Sequence, residues 1–199
     1  MVLKLFGAYP SYNALRVALI LHEKIVPFEF VSVDMPKGEH KSPAYLEKQP
    51  FGQVPYIVEF PHILCDTILS DISDQDDDGF ILYESRAIGH YIATKYADQG
   101  TPGLIPTEIK AYGLFQQACS VEEWNFQVYA GKATFELFVK PFLGLEPDRA
   151  AFDGYIASIS KNLDVYEQIL SKQKYLGGDV RMGAFSTYDC DANGSLCRV

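Results

Sequence analysis

Between Val2 and Val33 the chain changes period twice, and that change limits the folds open to it. Val2-Leu3-Lys4-Leu5-Phe6 reads as a strand that Gly7 ends. Ser11 to Lys24 has helical periodicity, with Leu15, Ala18, Leu19 and Leu21 predicted on one broad apolar face and Ser11 as the N-cap. Pro27 breaks this helix, and Phe28 to Val33 alternates as a second strand. Strand, helix and strand in so short a span form a βαβ unit, which calls for parallel pairing and a right-handed crossover.

Ser42-Pro43 opens a short helix through Lys48, with Ser42 as cap and Pro43 at the first position. Val54-Pro55-Tyr56-Ile57 and Gly79-Phe80-Ile81-Leu82 read as third and fourth strands, and Asp78-Gly79 is a hairpin signal. A helix from Glu84 to Tyr96 completes an α/β domain over residues 1–98. Residues 99–107 read as a linker rich in proline and glycine. Only helical patterns follow, so residues 108–179 read as an all-α domain. Glu108 to about Val139 is one long helix or two, interrupted near Gly131, and Pro147 to Leu170 is another with Ile156, Ile159, Leu163, Tyr166 and Leu170 on one stripe. Periodicity is lost in the tail, residues 180–199.

Composition narrows the function. With 17 basic and 26 acidic residues the net charge is -9, which repels phosphate backbones and argues against nucleic acid as a partner. The longest apolar run in the first half, Val17 to Leu21, is far below the ~20 residues of a bilayer span. Cysteines at 65, 119, 190 and 197 form no CxxC pair and never cluster with histidine at metal-ligand intervals. The expectation is a reduced, cytoplasmic protein with no metal and no membrane partner. Asp74, Asp76, Asp78 and Gly79 match the first half of a calcium loop, but its twelfth position is Ser85 where a glutamate is needed, and no helix precedes it.

Four stretches carry chemistry. Ser11 places a hydroxyl at the start of the first helix, where backbone N–H groups and the helix dipole favour a thiolate, although a cap alone would also explain it. His40 and Lys41 stand side by side on a loop and suit a carboxylate, although a solvated loop would also explain them. Val54-Pro55 at a strand start is a place for a cis bond, which would free the Val54 backbone for an extended peptide. Glu84-Ser85, where a strand passes into a helix, is a second N-terminal anion site or a plain cap.

In this order, SxxxxRV, GEHKSP, PFGQVP and LYESRAI resemble glutathione transferases, the phi class and closely related fungal enzymes above all. The likeness runs through residues 1–57 and 76–179. It implies a thioredoxin-like N-terminal domain and an all-helical C-terminal domain. It also implies a homodimer that conjugates the glutathione thiolate to small hydrophobic electrophiles in detoxification, with glutathione as substrate and no cofactor. By resemblance, Ser11 would donate to the glutathione sulfur. His40 and Lys41 would hold the glycyl carboxylate. Gln53 and Val54 would bind the peptide backbone beside a cis Pro55, and Glu84 and Ser85 would take the γ-glutamyl amino and carboxylate groups. The alternatives are a non-catalytic glutathione- or ligand-binding module and an inactive truncated product; intact Ser11, His40, Lys41 and Glu84-Ser85 favour the enzyme.

Two segments depart from the family pattern. Val58 to Gln75 interrupts the hairpin expected between the third and fourth strands. It opens on a valine codon (GTN) and closes on a glutamine codon that can be CAG, the ends of a spliceosomal intron. It therefore reads as a retained in-frame intron and an extraneous hairpin insert. After Gly178-Asp179, Val180-Arg181-Met182 replaces the expected helix cap, so residues 108–179 read as a partial helical domain followed by an aberrant tail that leaves Ile156, Leu163 and Leu170 exposed.

Overall fold

The computed structural model describes residues 3–9, 11–60 and 79–178, and the chain divides into two compact units, 1–103 and 104–199. The boundary after Gly103 falls inside the stretch read as a linker. The greater part of the insert and the whole tail beyond Asp179 lie outside the described residues.

In the first unit, strand β1 (Leu3–Gly7) leads into helix α1 (Tyr12–Glu23) and strand β2 (Phe28–Ser32). Helix α2 (Pro43–Lys48), strands β3 (Tyr56–Glu59) and β4 (Phe80–Tyr83) and helix α3 (Ser85–Lys95) follow. Among the described residues the strands form one sheet in the order β2-β1-β3-β4. β1 and β2 are parallel, as the βαβ pattern requires, while β3 runs antiparallel to both β1 and β4. This is the thioredoxin-like arrangement.

Alternation along β1 and β3 splits the core into two layers. Leu3, Leu5 and Ile57 are buried on one face together with Val17, Ile20 and Leu21 of α1 and Ile88 and Ile92 of α3. On the other face Tyr56 and Val58 pack with Val33 and Tyr45 of α2, flanked by Phe6, Val54, Ile81 and Tyr83. The buried stripe of α1 is Ala14, Arg16, Val17, Ile20 and Leu21. Leu15 points outward at 48% exposure and Ala18 and Leu19 are half-buried, so the expected apolar face is corrected by about a third of a turn. Contact with both the sheet and α3 selects the face that carries the arginine, which apolar periodicity alone passes over.

β3 continues through Val58 and Glu59, whose register partners are Ile81 and Phe80. Both residues are buried. The first two residues of the proposed insert are therefore sheet, and the strand starts later and ends later than predicted. The fourth strand and third helix likewise lie one residue beyond the predicted starts.

The second unit is helical among its described residues. Helix α4 (Ile109–Glu122) passes through a π-helical turn (Glu123–Gln127) into helix α5 (Val128–Thr134), then a second π turn (Phe135–Val139) and the short helix α6 (Lys140–Phe142). No break occurs at Gly131, which lies within α5; the irregularities are the two wider turns on either side. Helix α7 (Arg149–Leu170) is capped by Asp148, whose carboxylate accepts from Ala151 N–H at 2.9 Å. Asn162 and Tyr166 of α7 donate to the carbonyls of Asn125 and Val121. Ile156 and Leu163 are exposed as expected, whereas Leu170 is buried.

Candidate functional site

Five ladder residues mark one end of the sheet: Gly7 opposite Ser32, and Tyr56 opposite both Phe6 and Tyr83. Each predicted site segment departs from this end. β1 exits toward Ser11, β3 enters from Gln53-Val54, and β4 exits into Glu84-Ser85.

Ser11 caps α1. Its Oγ accepts from Ala14 N–H at 3.3 Å and its own N–H donates to the Ala8 carbonyl at 2.9 Å. It is half-exposed, so the hydroxyl proton remains available to an acceptor in front of the helix.

At the far side of the sheet end, Glu84 holds φ of 71°, a left-handed conformation that costs a non-glycine residue energy. Such strain concentrates where a ligand is held. It turns β4 sharply into α3, whose first residue is the buried Ser85. Ser85 Oγ accepts from Arg16 Nη1 at 2.8 Å, and the same Nη1 donates to Asn13 Oδ1 at 2.7 Å. The N-termini of α1 and α3 are thus joined by hydrogen bonds. The SxxxxRV motif contains Arg16 without assigning it a role; a charged residue on an apolar helical stripe is the signal the sequence offers.

His40 and Lys41 lie in a single 3₁₀ turn, Glu39–Lys41. Lys41 Nζ donates to the carbonyls of Phe51 and Gly52 at 3.0 and 2.9 Å, so two of its three protons shape the loop before β3. Gly52 has φ of 59°, and a Cβ there would meet Lys41 Nζ and the His40 carbonyl at 2.7 Å each. Burial, aided by the Lys41 charge, holds His40 below its ordinary 6.5. Its Nδ1 is buried without a hydrogen-bond partner among the described residues.

The Gln53 carbonyl accepts from Tyr45 Oη at 2.6 Å, and the Val54–Pro55 peptide is cis as predicted. Burial pushes the Tyr45 hydroxyl far above its ordinary 10.0, so ionisation does not break that bond in the working range of pH. The Phe51 ring meets Tyr83 edge-on at 6.3 Å, which brings the Lys41–Gly52 loop against the end of β4. All the site residues of this unit therefore gather at one end of one sheet. Two helix N-termini, one ammonium and one imidazole stand at this end, groups whose chemistry suits carboxylates.

Of the aromatics weighed for a hydrophobic subsite in the helical unit, Trp124 is 67% exposed and so does not serve as core, while Phe126 is half-buried. No helix of the described residues is long and apolar enough to cross a membrane.

Residues 10–95 match the family model described as glutathione S-transferase, N-terminal domain. Glutathione S-transferase 3 of Zea mays is 41% identical over 177 residues, covering 89% of this chain and 71% of that protein. Glutathione S-transferase hmp2 of Hypomyces subiculosus is 41% identical over 182 residues, covering 90% and 76%. The crystal structure of glutathione transferase F7 from Populus trichocarpa superposes with a TM-score of 0.74 at 36% identity, covering 89% of this chain and 75% of that one. That of glutathione S-transferase I from mais, in complex with an atrazine glutathione conjugate, gives 0.72 at 32% identity, covering 92% and 76%.

Proposed function

Since the chain belongs to the glutathione S-transferase family, we propose that it activates the glutathione thiol at Ser11 and conjugates it to small hydrophobic electrophiles. The observation that carries this reading is the pair of helix N-termini, capped by Ser11 and opened by Ser85, tied together through Arg16. One tripeptide can reach both with its sulfur and its γ-glutamyl end.

In this reading Ser11 donates its hydroxyl proton to the sulfur while Oγ keeps the Ala14 cap. The N–H groups of the first turn of α1 add positive potential, and together they lower a thiol pKa from about 8.5 toward neutrality. The thiolate then attacks the electrophilic carbon; an S–C bond forms as the leaving group departs with its electron pair, or as the pair passes to an acceptor. Lys41, through its third proton, and His40 receive the glycyl carboxylate. Gln53 and Val54 pair with the peptide beside Pro55, Glu84 takes the γ-glutamyl ammonium, and Ser85 takes its carboxylate. The maize relative's bound atrazine glutathione conjugate supports an apolar aromatic class of electrophile. A cytosolic homodimer serving detoxification is the setting proposed from the family.

The test is twofold. The 199-residue chain should be retained on immobilised glutathione and should conjugate a chloronitroaromatic. The Glu84→Ala/Ser85→Ala double variant should lose retention. Normal retention by that variant would contradict the γ-glutamyl assignment, and retention by the parent without turnover would leave a binding module in place of an enzyme.

A further inference from the structure

Arg16 is fully buried on α1, although its charge makes burial costly unless it is held by hydrogen bonds. Its Nη1 reaches Asn13 Oδ1, one turn back on its own helix, at 2.7 Å. The same nitrogen reaches Ser85 Oγ, on the other helix and distant in the chain, at 2.8 Å. Ser85 Oγ stands 3.4 Å from Asn13 Oδ1, closing a triangle between the two helices.

We propose that Arg16 is the positioning residue of the glutathione site: by fixing Ser85 against α1 it sets the spacing between the thiol subsite and the γ-glutamyl subsite and aims the Ser85 hydroxyl at the ligand. This rests on the function proposed above and deepens it. Three physical steps lead to it. A tripeptide has a fixed reach, so the two helix N-termini must keep one separation to serve both of its ends at once. The guanidinium fork is rigid and stays charged at every working pH, so it holds that separation more firmly than apolar packing alone. Finally, a guanidinium has no acceptor. Ser85 Oγ must therefore accept from Arg16, and its own proton points away, toward the long 3.4 Å contact with Asn13 or toward an arriving carboxylate. A hydroxyl polarised by a cation is a better donor, so the carboxylate gains from Arg16 without touching it.

A double-mutant cycle on the 199-residue chain tests this, read as the glutathione Kd by calorimetry together with the melting temperature. Arg16→Lys keeps the charge but loses the fork, and should raise Kd about tenfold. Ser85→Ala should raise it comparably. If Arg16 acts through Ser85, adding Arg16→Lys to Ser85→Ala should change Kd by less than about twofold. Additive losses in the cycle, or an Arg16→Lys variant that melts earlier yet binds glutathione normally, would overturn the proposal and leave Arg16 as core. Should Arg16→Lys fail to fold, Asn13→Ala removes the other anchor of the same nitrogen. It should raise Kd about threefold with Ser85 present and leave it unchanged with Ser85→Ala; equal effects in both backgrounds would refute the idea. A parent chain that binds no glutathione would refute the proposed function itself and this role with it, whereas tight parental binding with additive losses would refute only the role of Arg16.

Discussion

Glu59, the last residue of β3, and Lys95, the last of α3, meet at 2.6 Å although the Glu59 side chain is almost wholly buried. Tyr96 Oη donates to the other carboxylate oxygen at 3.0 Å, and Tyr91 Oη donates as well. Burial alone would push the Glu59 carboxyl up, but the hydrogen bonds from Lys95, Tyr91 and Tyr96 outweigh it and hold it below its ordinary 4.5. Burial pulls Lys95 down, and the bonds to Glu59 and Tyr91 prevail to raise it above 10.5.

Both shifts stabilise the fold across neutral pH. A lowered carboxyl contributes above its unfolded value and loses that contribution as pH falls through the folded value; a raised lysine contributes below its unfolded value and loses it as pH rises through the folded one. Glu59→Gln should cost about 1–3 kcal/mol at pH 7. The gap in melting temperature between parent and variant should narrow as pH falls below 4.5, the ordinary value of the carboxyl. A gap that stays constant from neutral pH down to strong acid would refute the charged network.

The ladder pairs Glu59 with Phe80, so removing residues 60–77 would leave Asp78-Gly79 as a two-residue turn between paired positions. Asp-Gly is among the preferred sequences for such a turn. Closing a loop of two residues rather than twenty saves about 2 kcal/mol of chain entropy. The excised protein should keep its fold and melt at an equal or higher temperature. Removing 58–75 instead takes Val58 and Glu59 out of the sheet and should be the less stable of the two deletions. A large loss on excising 60–77 would show that the segment is a packed part of the native protein.

Ile25 has φ of 52° at the end of α1, where its N–H donates to the His22 carbonyl and that of Val26 donates to Leu21. This is a Schellman ending, and its left-handed position favours glycine. A β-branched residue there is strained by about 1–2 kcal/mol, and Ile25 is 71% exposed, so little burial offsets it. Ile25→Gly should stabilise the protein by about 0.5–1 kcal/mol, raising the melting temperature by roughly 1–4 °C. An unchanged or lower melting temperature would contradict this.

Ser11→Ala removes both the cap and the proposed donor to sulfur. Loss of the cap should cost about 1 kcal/mol of stability. Conjugation at neutral pH should fall by at least about tenfold with glutathione affinity little changed, because the donor acts on the thiolate rather than on the backbone or carboxylates. Ser11→Asp should keep the cap and the stability but not the rate. Unchanged turnover in Ser11→Ala would remove Ser11 from the chemistry.

The sheet and the ends of its helices are legible in the sequence because they rest on local signals. Ser11, Ser42 and Pro43, and the cis position at Pro55, all act within a few residues of themselves. Arg16 is not legible, because its partner Ser85 is distant in sequence and periodicity counts an arginine against a core face. The extra length of β3 escapes for a similar reason. Val58 and Glu59 belong to the sheet through pairing with β4 and through Lys95, Tyr91 and Tyr96, none of which is nearby in the chain. In the helical unit, Gly131 lowers helical propensity enough to predict a break, but the surrounding helix carries it without one.

β1, which precedes the other described strands in the chain, hydrogen-bonds on both sides, to β2 and to β3. Its two partners leave the ribosome at different times. β1 ends at Gly7, β2 begins at Phe28, and β3 does not begin until Tyr56. At about 5–20 residues per second, that leaves β1 with one satisfied edge and one bare edge for seconds during translation. A nascent β1–α1–β2 unit is therefore a half-made sheet with an open template strand, and the arrival of β3 is the event that closes it.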